Sequence, residues 1–184
     1  MASIPSISLF IQSNKKHLRF FLYFIIFFIA GQALNFLLFP ITDSVQFKLL
    51  NAKVASNIIN TVSPSENSVV EDRVIRSGRH AVEVGWGCEA TDGMITLGAG
   101  VLALQIPFLG KLIGLLLGSF VIYIANLCRI VSLYFILKYG PQFFDFFHIY
   151  VGQVFLIIIA ISFFILWAKR FHGISREPVT QAQN

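Results

Sequence analysis

Long apolar runs dominate the chain and a single polar stretch interrupts them. Leu18 to Phe39 is apolar for about 22 residues, enough for a helix rising 1.5 Å per residue to cross a hydrocarbon core about 30 Å thick. Lys15, Lys16 and Arg19 flank its start, and Pro40 is expected to stop it. The run is longer than the apolar region of a secretory signal, and no small-x-small site precedes Pro40, so it reads as a retained anchor. Three further spans are expected. Met94 to Leu109 is the shortest and most glycine-broken, Leu112 to Leu137 ends at Lys138, and Ile149 to Ala168 ends at Lys169-Arg170.

Residues 40–92 form the polar stretch. Phe47, Leu50, Val54 and Ile58 recur at helical spacing between Asp43 and Asn60, which predicts an amphipathic helix on the membrane surface. Val69 to Val84 is valine-rich and broken by Ser77-Gly78, so it reads as a short β-hairpin. Ser63-Pro64-Ser65 between them reads as a linker. Roughly 50 residues cannot bury a large core, so this segment is expected to rest on the bilayer and the helix ends.

Composition sharpens the pattern. Of 184 residues, 56% are hydrophobic and 12% charged, about half the charge that a soluble domain carries on its surface. The net charge of +5 does not point to nucleic acid, because the basic residues sit beside apolar runs and form no stripe among exposed aromatics. Lys15, Lys16, Arg19, Lys111, Lys169, Arg170 and Arg176 would lie on one side, and the positive-inside rule makes that side cytoplasmic. The expectation is an all-α polytopic membrane protein with about four transmembrane helices and a small extracytoplasmic helix/β-hairpin segment. It divides into a cytoplasmic N-terminus (1–17), a first span (18–39), an extracytoplasmic segment (40–92), a three-span core (93–170) and a cytoplasmic tail (171–184). Nucleotide-loop and zinc motifs are absent, the histidines are scattered, and Cys88 and Cys128 are too far apart for a zinc knuckle. No cofactor or metal is expected.

Cys88, Arg129 and His148 are out of place in such a chain. With Lys111 at the cytoplasmic interface, Arg129 lies about 27 Å along its helix; measured from Lys169, His148 lies about 31 Å along the next. Cys88 precedes the second span on the outer side. A thiol, a guanidinium and an imidazole therefore reach one depth, the outer membrane–water boundary. Each has an ordinary reading: a cysteine as a small buried hydrophobe, an arginine that snorkels, a histidine in the interfacial aromatic belt. Cys88, however, stands in a polar, glycine-rich bend with Gly85, Trp86, Gly87, Glu89 and Asp92, whereas Cys128 lies within an apolar helix and suits the packing role. Arg129 facing lipid would cost up to roughly 2.5–3.5 kcal/mol, which argues for an inward-facing residue with a partner. Together the three have a chemical logic. A thiolate attacks, a nearby cation favours the thiolate, histidine serves as base and then acid, and an arginine that keeps its charge holds an oxyanion.

At these residues the sequence resembles a known family. Gly87-Cys88-Glu89-Ala90-Thr91-Asp92-Gly93, then Ala125-Asn126-Leu127-Cys128-Arg129-Ile130, then His148 followed by Gly152, is similar in order and context to the exosortase/archaeosortase family. The short length is similar to the exosortase H type; the largest members have extra spans. The resemblance implies a cysteine transpeptidase or peptidase of the cytoplasmic (inner) membrane, its site facing the outside. Its partners would be exported proteins carrying a C-terminal sorting signal of motif, apolar helix and basic cluster. Cys88 would be the nucleophile, Arg129 the oxyanion or substrate clamp, His148 the general acid/base, and Asn126 would orient Arg129 or bind substrate backbone. A lipid, a surface glycan or water would resolve the thioester. Two other readings stand beside it: a non-enzymatic membrane subunit in which Asn126 and Arg129 make interhelical bonds, and a small anion-binding transporter built on Arg129.

Overall fold

A computed structural model describes residues 15–42, 45–85, 88 and 90–174, with the backbone alone for 39–42, 45–47 and 172–174. The chain runs through helix α1 (Lys15–Thr42), helix α2 (Val45–Val62), a single 3-10 turn (Pro64–Glu66) and strands β1 (Val69–Glu71), β2 (Val74–Ser77) and β3 (His80–Glu83). Helices α3 (Thr91–Ala103) and α4 (Phe108–Tyr139) follow. Short turns over 141–146 and a π-helical turn (Phe147–Val151) then lead into α5 (Gly152–Ile174). Within the described residues, Lys15–Leu38, Phe108–Tyr139 and Pro141–Phe171 are long and apolar enough to cross a bilayer, so this is a membrane protein. Leu22, Phe36, Leu37, Phe120, Ile158 and Leu166 present bare apolar surface, as lipid-facing side chains do.

The expected second span is shorter than the sequence pattern suggested. Helix α3 has 13 residues, about 20 Å of helix, and the chain turns extended at Leu104 ahead of Pro107. Phe108 and Leu109 belong to α4. Helix α3 is packed among α1, α4 and α5, where Leu97, Ala99, Gly100, Val101 and Ala103 are buried. An end inside protein needs its carbonyls satisfied by protein, and Lys111 Nζ donates to the Leu102 carbonyl at 2.8 Å. A second difference is that α1 continues through Pro40 to Thr42.

Close packing in the bundle comes from a glycine ridge. Gly110, Gly114 and Gly118 lie four residues apart on α4 and face an aromatic ridge of Phe171, Trp167 and Phe163 on α5. A Cβ on Gly114 would approach the Trp167 ring to 2.5 Å, and one on Gly118 would lie 2.9 Å from Phe163 and collide with Leu97. Removing these Cβ atoms lets the helices meet where lipid offers no hydrophobic drive to associate.

Helix α4 has 32 residues, about 48 Å, which exceeds the hydrocarbon core by roughly 18 Å. The surplus is the spine of a cap. Leu127, Ile130 and Tyr134 of α4 share one core with Ala52, Ala55 and Ile59 of α2, and with Ile75, Val82 and Val84 of the sheet region. The inward face of α2 is Lys48, Asn51, Ala52, Ala55, Ser56 and Ile59, while Leu50 is 52% exposed. Of the apolar stripe read from the sequence, Val54 and Ile58 pack against this core while Leu50 turns outward. Polar groups can sit inside because they are bonded: Asn60 and Ser68 exchange N–H···Oδ1 (2.7 Å) and Nδ2–H···O (2.9 Å) bonds, and Ser56 Oγ donates to the Ser68 carbonyl at 3.1 Å.

The expected hairpin has a third strand. β1 and β2 pair through Val70↔Ile75, and β2 and β3 through Ile75↔Val82, all antiparallel. The additional reversal is at Asp72, whose φ of 56° lies in the left-handed region that aspartate tolerates.

The 3-10 turn read as a linker is an anchor. Glu66 is buried, accepts from Tyr134 O–H at 2.5 Å and pairs with Lys138, while Ser77 Oγ donates to the Glu66 carbonyl at 2.5 Å. The Lys138 hydrogen bond, then those of Tyr134 and Ser77, hold its carboxyl at about 2, below the usual 4.5 and against the upward push of burial. A depressed folded pKa means that this contribution to stability is present above the unfolded value and is lost as pH falls through the folded one. Glu66→Gln is expected to lower the melting temperature of the detergent-solubilised protein at neutral pH and its abundance several-fold. The gap to wild type should narrow as pH falls from about 5 toward about 2. A gap independent of pH would refute the ionised anchor.

Candidate active site

One turn of α4 carries the centre of the site. The buried face of α4 includes Ile122, Ala125, Asn126, Arg129, Ile130 and Leu133, so Asn126 and Arg129, three residues apart, point inward together. Asn126 is fully buried and its Nδ2 donates to the Cys88 main-chain carbonyl at 2.5 Å. Arg129 is 5% exposed and its Nη2 donates to the His148 main-chain carbonyl at 3.1 Å. The two bonds join segments 38 and 19 residues away in sequence to one helical turn. Asn126 thus ties the Cys88 segment to α4 through its Nδ2.

Cys88 is buried and its N–H donates to the Gly85 carbonyl at 3.2 Å, a tight bend just before α3. Its neighbours Trp86, Gly87 and Glu89, on which the glycine-rich-bend reading partly rests, lie outside the described residues. Ala90 has a φ of 57°, which turns the chain from that bend into the helix. Asp92 in the first turn of α3 accepts from Gln32 Nε2 of α1 at 3.2 Å. Cys128 differs from its expected packing role. Phe120, Ile124, Cys128 and Ser132 form the outward stripe of α4, so this thiol is exposed. The two cysteines are not joined in a disulfide.

His148 lies in the π-helical turn, half-buried, with its ring stacked on Phe144 (centroids 5.7 Å apart, planes 6° apart). The turn has a direct consequence. Gly152 N–H bonds to the Phe147 carbonyl, five residues back, so it is diverted from the His148 carbonyl that an α-helix would give it. That carbonyl is the one that receives Arg129. His148 Nδ1 and Asn126 Oδ1 are both buried without a hydrogen-bond partner among the described residues. Such atoms are costly in a fold and concentrate where chemistry or ligands use them. Beside Arg129, a cavity of about 220 Å³ opens between α4 and the start of α5, lined by Cys128, Ser132, Ile136, Phe147 and Phe155 among others. No group of three or more histidine, cysteine and acidic side chains among the described residues is placed to hold a metal ion.

The three chemical residues and Asn126 are therefore tied to one level of one helix. These bonds run through the main chains of Cys88 and His148, and they fix where those segments cross α4. Sequence reading missed the role of Gly152, the π-helical turn and the glycine ridge. Only the ridge has a local signal, its four-residue glycine spacing.

Comparison with curated proteins and with solved structures returned no match. The sequence pattern of the transmembrane exosortase family (Exosortase_EpsH), by contrast, matches residues 4–167. That match takes in all the membrane-crossing helices except the last turns of α5, together with the Cys88, Asn126–Arg129 and His148 segments. With nearly the whole architecture covered, the chain belongs to the transmembrane exosortase family.

Proposed function

We propose that this chain is a cysteine transpeptidase that cleaves C-terminal sorting signals at the outer face of the cytoplasmic membrane, with Cys88 as nucleophile. At the coarser level, its family makes it a membrane peptidase or transpeptidase of sorting-signal processing, acting on C-terminally tagged exported proteins. The observation that carries the finer reading is the pair of bonds from one turn of α4, Asn126 to the Cys88 carbonyl and Arg129 to the His148 carbonyl.

The chemistry runs in two halves. His148 takes the thiol proton and Cys88 Sγ attacks the scissile carbonyl carbon, forming a C–S bond and an oxyanion. Arg129, itself buried, balances the oxyanion charge. The C–N bond then breaks as His148 returns the proton to the leaving amine, which departs with the apolar helix and basic cluster. An acceptor amine attacks the thioester, loses its proton to His148, and Cys88 regains a thiol as the new amide forms. Water in place of the amine yields a free carboxylate. The apolar helix of the substrate enters laterally from the bilayer, since the bundle itself faces lipid.

This reading requires the cap to face outward and the termini to face the cytoplasm. A cysteine placed at the exposed hairpin residue Arg79 should be labelled by an impermeant maleimide in intact cells, above the background of the unmodified chain. A reporter fused after Asn184 should be active in the cytoplasm. A co-expressed secreted reporter ending in motif, apolar helix and basic cluster should lose that tail, visible as a new C-terminus by mass spectrometry. Labelling of Arg79→Cys only after lysis, or a tail that stays intact, would overturn the proposal.

A further inference from the structure

We infer that Gly152, acting with the π-helical turn before it, is a positioning residue that sets the place of the Arg129 guanidinium. The inference rests on the reading of Arg129 as the group that stabilises the oxyanion.

Two features of one residue converge on the same side chain. Gly152 has no Cβ, and a Cβ built there would collide with Arg129 Nε, lie 3.0 Å from Arg129 Cδ and lie 3.1 Å from the Phe147 carbonyl oxygen. The arginine side chain therefore lies across the backbone of Gly152, in the notch left by its missing Cβ. The N–H of Gly152 is committed to the Phe147 carbonyl, so the His148 carbonyl is available to Arg129 Nη2 at 3.1 Å. The notch fixes the stem of the side chain and the diverted carbonyl fixes its tip. An arginine has four rotatable side-chain bonds; fixing both points leaves its planar donors aimed in one direction.

The bundle offers a contrast. Gly110 and Gly114 are occupied by aromatic rings of α5, and Gly100 by the Phe164 ring at 3.1 Å, which is ordinary close packing between helices. At Gly152 the three nearest atoms are two of Arg129 and the Phe147 carbonyl oxygen of its own turn. A glycine here also works against helix formation, since alanine is the better helix former. A local penalty kept at the end of a π-helical turn, next to a buried charge, is the pattern expected of a functional constraint.

The Gly152→Ala change separates the two roles that this position could have. The full-length chain is co-expressed with the sorting-signal reporter, and cleavage is normalised to membrane-inserted protein. Gly152→Ala is expected to lower cleavage per molecule about 10–100-fold, the effect of displacing a catalytic group by around 1 Å. Abundance should stay within about twofold, because alanine favours the helix. A substrate-free readout runs alongside: modification of Arg129 by phenylglyoxal in the folded protein, read by peptide mass, should rise several-fold once the side chain leaves its notch. Gly100→Ala, which presses on Phe164 instead, should leave both readouts at wild-type values. If Gly152→Ala itself lowers abundance, the double variant with Arg129→Ala decides: with the side chain gone the Cβ has room, so abundance should return to that of Arg129→Ala alone. Wild-type cleavage together with unchanged Arg129 protection in Gly152→Ala would overturn the inference, as would a double variant less abundant than Arg129→Ala. Full activity of Arg129→Ala would instead remove the catalytic reading of Arg129, while the modification readout would still report whether Gly152 places it.

Discussion

Replacing Cys88 by alanine or serine is expected to abolish processing of a sorting-signal reporter while the protein still inserts and folds. Loss of the nucleophile from a catalytic unit lowers turnover by about 10⁴–10⁶-fold, which is below detection in a cellular assay. Serine conserves shape, so the Asn126 bond to the residue 88 carbonyl and the core around it should persist. Cys128→Ser and Cys128→Ala should retain most activity, because that thiol lies on the outward stripe of α4 and, although it lines the cavity beside Arg129, takes no step in the proposed chemistry. Mass spectrometry of the reporter tail and quantitation of the membrane protein give both readouts. A processed reporter in cells carrying Cys88→Ala would exclude the thioester route. Equal loss in the Cys88 and Cys128 variants would assign the two cysteines to a common structural role.

The difference between those two cysteines was only half legible in the sequence. Counting 1.5 Å per residue from Lys111 and Lys169 placed Arg129 and His148 at one depth, since helical rise is nearly invariant. Rotation about the helix axis is less forgiving, and in α4 almost every residue is apolar, so no hydrophobic face distinguishes Cys128 from Leu127. Lateral position therefore had to come from structure, as did the bonds that place Asn126 against Cys88 and Arg129 against His148.

The same limit shaped the rest of the fold. Helices α1, α4 and α5 were visible because lipid demands long apolar runs. Helix α3 was expected to be longer, since an apolar sequence continues past the point where Leu104 leaves the helix and the donor to its end, Lys111, comes from the next helix. In the cap, α2 was found but its inner face only in part: Val54 and Ile58 pack on the core, whereas Lys48, Asn51 and Ser56 are also inside and Leu50 is outside. Glu66 had no local signal at all. Its turn reads as a serine-proline linker, and the partners that make it an anchor, Tyr134 and Lys138, are 68 and 72 residues further on. The π-helical turn at His148 is likewise a tertiary device; it matters through the carbonyl it releases to Arg129.

Arg129→Lys is the substitution on which a catalytic and a structural arginine diverge most. In the catalytic role, a planar fork of N–H donors is fixed between the Gly152 notch and the His148 carbonyl, and the developing oxyanion meets donors that are already aimed. Lysine keeps the charge but offers one rotating ammonium on a flexible stem, with no Nε to lie across Gly152. Processing should fall about 10²–10³-fold, the usual cost of losing one oxyanion donor. Abundance should change little, because an ammonium still supplies an inward-facing cation able to reach a main-chain carbonyl. Arg129→Ala should abolish processing and also lower abundance, as the His148 carbonyl loses the donor that Gly152 N–H does not replace. A structural arginine reverses the order: lysine would then be nearly silent in both readouts, and alanine would act through abundance alone, with each surviving molecule as active as wild type. Reporter cleavage per inserted molecule, measured for both variants on one membrane preparation, separates the two cases. An abundant and fully active Arg129→Lys protein would end the oxyanion assignment.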